Sequence, residues 1–83
     1  MILADRIRQF VLDQYINPAR QQGLPTITIV AGEIHTAMGL VNRMPAVCGA
    51  LDADKFLSFA HIHLMSRSDP LQGSTVTWVF DLK

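Results

Sequence analysis

Residues 32–51 read GEIHTAMGLVNRMPAVCGAL, and the fold turns on this stretch. Two short helices with a tight turn between them are expected here. The first runs from about Gly32 to Met38, with Ile34, Ala37 and Met38 on its inner side. Gly39 ends it, because glycine enters the left-handed conformation at a helix C-terminus without steric cost. Leu40 and Val41 bridge the turn. Asn42 is the expected N-cap of the second helix, its side-chain oxygen accepting from free amides of the next turn. Pro45 falls in that first turn, where its missing N–H does no harm. Met44, Val47, Cys48 and Leu51 then recur at i, i+3, i+4 and i+7, one apolar helical face. His35 stands four positions before the turn glycine, where a small residue often lets two helices cross. Either the helices cross further apart, or His35 points outward and Ala37 takes the contact.

Upstream, Ile2 to about Tyr15 is helical in pattern. Leu3, Ile7, Phe10, Val11 and Gln14 or Tyr15 lie along one stripe, with Asp5, Arg6, Arg8, Gln9 and Asp13 on the other side. Arg6, Arg8 and Arg20 form no basic stripe and read as a solvated face. Asn17-Pro18 resembles a second helix start, so the first helix either stops near Ile16 or kinks and continues to Gln22. Gly23 and Pro25 close it. Thr26 to Val30 is β-branched throughout and reads as a strand.

Downstream, residues 52–55 either extend the second helix of the central stretch or form a polar exit, pinned by Phe56, Leu57 and Phe59. A strand is expected over about His61 to Ser66 and another over about Ser74 to Leu82. Residues 67–73 carry the proline, aspartate and glycine of a loop. Alternation turns Ile62 and Leu64 inward with Val76, Trp78 and Phe80. His61, His63 and Met65 then share the other face with Thr75, Thr77, Val79 and Asp81.

The 83 residues make one domain, and a hydrophobic fraction of 49% is enough for a core. No apolar run approaches the roughly 20 residues needed to span a bilayer. Charged residues follow directly on Met1-Ile2-Leu3-Ala4, unlike a signal peptide, so a cytoplasmic location is expected. The single cysteine excludes an internal disulfide and fits a reducing compartment. Seven basic and seven acidic residues balance. A nucleic-acid binder usually carries a basic excess, so the balance asks for segregated charges or a dimer.

Helix, glycine turn, helix within about twenty residues is the helix-turn-helix unit. With a helix and strand before it and a β-hairpin after it, the chain resembles the winged helix-turn-helix superfamily. The resemblance covers nearly the whole chain, residues 1–83, in the order α-β-α-α-β-β. It implies an α+β fold with a three-helix core and a small antiparallel sheet. It further implies that the third helix, about Arg43 to Ala53, reads a DNA major groove and that about Arg67 to Gly73 is the wing.

On that resemblance the DNA-binding residues are Asn42, Arg43, Ala46 and Ala50 on the third helix, with Arg67 and Gln72 in the wing. Arginine grips guanine, asparagine grips adenine, and alanine touches a thymine methyl. Arg67 would meet a phosphate or enter a minor groove. The expected function is a small transcriptional regulator bound to double-stranded DNA as a homodimer, which doubles the few basic contacts. The alternative is a protein-interaction module working through the alanine-rich third helix without nucleic acid. A third reading, a metal-responsive repressor, rests on His61 and His63 sharing a strand face, though zinc usually wants three or four protein ligands. No catalytic constellation, phosphate-binding glycine loop or cofactor motif is present, so neither an enzyme nor a cofactor is expected.

Overall fold

Pro18 bends the first helix without ending it. Proline lacks an N–H, and its ring cannot sit beneath the carbonyl four residues back. The helix therefore runs as α1 (Leu3–Val11), widens into a π-helical turn (Leu12–Ile16), and continues as α2 (Asn17–Gln21). This is the kinked form of the two expected from sequence. The computed structural model describes residues 2–68 and 73–83. Gly23 closes α2 at φ 76°, with its N–H on the Arg20 carbonyl and the Leu24 N–H on that of Ala19, both at 3.0 Å.

Strand β1 (Thr26–Val30) leads directly into α3 (Ala31–Ala37). Gly39, at φ 67°, ends α3 in the same way: its own N–H meets Thr36 and the Leu40 N–H meets His35, both at 3.0 Å. Helix α4 (Met44–Asp52) follows the turn. Ala53 is extended, and a further helix, α5 (Asp54–Ala60), begins after it. The sequence had suggested an extension of α4 or a polar exit; the break at Ala53 makes a separate helix instead. Phe56 is buried there and meets Phe80 edge-on, with ring centroids 5.6 Å apart.

Strands β2 (His63–Arg67) and β3 (Thr77–Asp81) complete an antiparallel sheet in the order β1-β3-β2. His61 lies outside β2, in a left-handed conformation (φ 56°) that ends α5. It therefore does not share a strand face with His63. Ile29 pairs with Trp78 and Ile27 with Phe80 on the face turned to the helices. Thr28, Val79 and Ser66 lie on the opposite face, with His63 beside Asp81. The register slips between Leu64 and Ser66, so Met65 is the extra residue of a bulge. Leu64 keeps the inner register opposite Phe80, but at the sheet edge it is 46% exposed.

The core gathers Ile7, Val11 and Ile16 from the bent helix, Ile34, Val47 and Leu51 from α3 and α4, and Ile29, Trp78 and Phe80 from the sheet. Arg8 joins them: it is buried, not on a solvated face. Among the described residues no helix is long and apolar enough to cross a membrane. The chain is thus α+β: among the described residues, a bent helix and three shorter helices lie against one antiparallel sheet.

The segment before β3 closes the start of α3. The Ala31 N–H donates to the Val76 carbonyl and the Gly32 N–H to the Ser74 carbonyl, both at 2.9 Å. A Cβ on Gly32 would lie 2.8 Å from that Ser74 oxygen, whereas one on Gly49, on the outside of α4, would meet nothing. Gly32→Ala is therefore expected to lose more than about 1 kcal/mol of stability, since the backbone must move. Gly49→Ala is expected to gain up to about 1 kcal/mol from helix propensity. Urea unfolding of the two variants checks the pair, and equal effects would contradict the close approach.

Candidate functional site

The turn between α3 and α4 is closed by an imidazole. His35, in the last turn of α3, accepts the Arg43 N–H on its Nε2 at 3.1 Å. The Arg43 carbonyl accepts from Val47 at 3.0 Å, so Arg43, not Asn42, is the N-cap of α4. Asn42 stands one residue earlier at φ 54°, a left-handed conformation that asparagine tolerates better than most residues. No side-chain hydrogen bond caps α4 in the usual way. The imidazole instead takes the N-cap's own amide, the task that a glutamate three residues on performs in a capping box. Ala37 is exposed, so the alternative in which it takes the crossing contact does not hold.

The turn stands out from the body. Val41 is 73% exposed, and Asn42, Arg43, Pro45 and Gly49 are exposed as well. The Arg43 guanidinium folds over its own turn, with Nη1 3.4 Å from the Asn42 carbonyl. Ala46 is half-buried against the core. Ala50 is 1% exposed and its carbonyl accepts from Arg8 Nε at 2.9 Å, which removes it from the expected reading face. The reason is rotational: Arg8 on α1 fixes which side of α4 turns inward. Helix N-termini leave amides without intrahelical partners and carry partial positive charge. At α4 this end is flanked by Arg43, with Pro45 subtracting one donor.

Arg67 is committed within the fold. Its Nε and Nη2 grip the two carboxylate oxygens of Asp52, at 2.6 and 2.9 Å, and its guanidinium lies 5.7 Å from the centre of the Trp78 ring. Trp78 Nε1 donates to the same Asp52 Oδ1 at 2.8 Å. The arginine expected to face a groove instead joins the end of α4 to the hairpin. Nothing in the local sequence marks Asp52 as its partner, because the pairing depends on the bulge at Met65. Gln72 lies outside the described residues, as do residues 69–71.

Other bases are similarly occupied. Arg8 Nη1 also meets Asp5 at 2.9 Å, Lys55 approaches Asp5 at 3.8 Å, and Arg20 donates to the His61 carbonyl. His61 and His63 line a shallow hollow with Leu57, Ser58 and Ile62. Among the described residues no three His, Cys, Asp or Glu side chains gather as a metal cluster. Cys48 is buried, with its sulfur 3.9 Å from the Gly73 carbonyl.

Asp52→Ala leaves the Trp78 N–H without its acceptor. The ion pair itself is partly exposed and contributes little, but an unsatisfied donor costs about 1–3 kcal/mol. That loss is expected in urea unfolding, with a shift in the emission of the single tryptophan. Asp52→Asn keeps an acceptor oxygen and should lose less. Unchanged stability and emission in Asp52→Ala would contradict the clamp.

No family model, no curated protein and no solved structure matches the chain.

Proposed function

We propose that the chain is a winged-helix protein that binds double-stranded DNA through the turn and first turn of α4, acting as a regulator in the form of a homodimer. The order of elements supports the winged-helix reading, with β2 and β3 flanking the wing and α5 as an addition to the usual order. The observation that carries the DNA reading is the exposed pair Asn42–Arg43 at the N-terminal end of α4. That end combines a guanidinium, a carboxamide and the positive pole of a helix, the groups that grip phosphate and base edges. Ala46 remains at its margin. With Arg67 bound to Asp52 and Ala50 buried, the reading surface narrows to about one helical turn per copy. Two copies related by a twofold axis would present two such ends to successive major grooves.

The protein-docking alternative keeps one specific support. Arg8, Arg20 and Arg67 are held in intramolecular bonds, and Val41, Pro45, Ala46 and Gly49 leave the outside of α4 uncharged. Such a surface suits close approach by another protein.

Binding of a labelled mixed-sequence duplex across about 50 to 200 mM salt separates the two. The DNA reading expects detectable binding with a shallow slope of roughly −2 to −4, a few phosphate contacts at about −0.9 each. Arg43→Ala should weaken it by about 1–3 kcal/mol, roughly 5-fold to 160-fold. No binding at the lowest salt, or binding indifferent to Arg43→Ala, would overturn the proposal and favour the docking surface.

A further inference from the structure

The bond that closes the α3–α4 turn exists in only one protonation state of its acceptor. His35 Nε2 accepts the Arg43 N–H at 3.1 Å. An imidazole nitrogen accepts only while it carries no proton, so His35 must be neutral with its proton on Nδ1. Protonation converts Nε2 into a donor facing another donor. It also adds a cation to the turn that already carries Arg43, at the positive end of α4. All three changes act against the same turn.

We propose that His35 is a proton-operated latch on the α4 N-terminus: neutral His35 holds the turn closed, and protonation releases it. The surroundings leave few competing charges. Helical spacing puts Ala31, Gly32, Met38 and Gly39 beside His35 along α3 and its exit, and none is charged; the negative pole of α3 is the one feature there that favours the imidazolium. Strand β1 carries no charged residue. On α4, Arg43 is the charged group at the near end; Asp52, at the far end, is bound to Arg67 and Trp78. Arg6 and Asp13 of the bent helix share a hollow with Met38, and Glu33 lines a separate one with Thr36 and Ala37.

The latch is a property of the free protein. Its use as regulation rests on the DNA reading of the same turn: release loosens the backbone that presents Asn42 and Arg43. His35 is in this sense a positioning residue.

Two-dimensional NMR of the unmodified chain between about pH 8 and 5, the range in which histidine changes charge, tests the latch directly. At the upper end the imidazole spectrum should show the proton on Nδ1. As His35 titrates, the Arg43 amide should shift in step with it, and its protection factor should fall roughly fivefold, the worth of one helix-capping bond. In His35→Gln, whose carbonyl accepts without titrating, the Arg43 amide should keep its protection and lose the transition. An imidazole carrying its proton on Nε2, or an Arg43 amide indifferent to His35 titration, would overturn the latch. A duplex titration run alongside distinguishes the two ideas. A working latch without DNA binding removes the DNA reading alone. DNA binding with an indifferent Arg43 amide removes the latch alone.

Discussion

The orientation of α4 depends on one buried hydrogen bond. Arg8 is 7% exposed, and its Nε reaches the Ala50 carbonyl at 2.9 Å, while Nη1 meets Asp5 at the same distance. A charge taken from water needs partners, or the fold is strongly penalised. The last carbonyls of a helix are the complementary case, because they lack intrahelical donors and sit at its negative pole. Each group therefore satisfies the other's need. The bond also fixes rotation. With Ala50 turned to α1, Gly49 and Arg43 must face outward and Val47, Cys48 and Leu51 must enter the core.

The two ends of α4 are secured by different means. At its start the His35 imidazole closes the turn after Gly39. At its finish Asp52 receives both Arg67 and Trp78, tying the helix to the hairpin. The sheet is in turn fixed to α3 by the backbone bonds of Ala31 and Gly32. These contacts make the short turn around Asn42 an exposed feature on a fixed support. A recognition surface benefits from that, since a preorganised surface loses less conformational freedom on binding.

Local constraints were legible in the sequence, and long-range pairings were not. Gly39 was readable because only one residue type enters a left-handed helix end freely, and Val47, Cys48 and Leu51 because helical spacing reports a buried face. The strands were readable from alternation, although the bulge at Met65 was not, and it is the bulge that brings Arg67 opposite Trp78. Residue type places Arg8 in water, where a lone arginine normally lies, and the fold buries it. Yet Ala4, Ile7, Arg8 and Val11 complete an i, i+3, i+4, i+7 stripe, and that spacing was the available signal. Residue type alone marks Asn42 as a cap; the left-handed step it makes follows from the turn's geometry. Of the expected reading residues, Asn42 and Arg43 reach the surface together, Ala46 borders them, and Ala50 and Arg67 are drawn into the fold.

On the proposed reading, the turn from Val41 to Ala46 is the surface that meets DNA. Amide chemical-shift changes on addition of a short duplex should then be largest at Val41, Asn42, Arg43 and Ala46, with Trp78 and the α1–α5 side of the molecule unmoved. Changes centred away from α4, or none at concentrations where the protein remains folded, would contradict it.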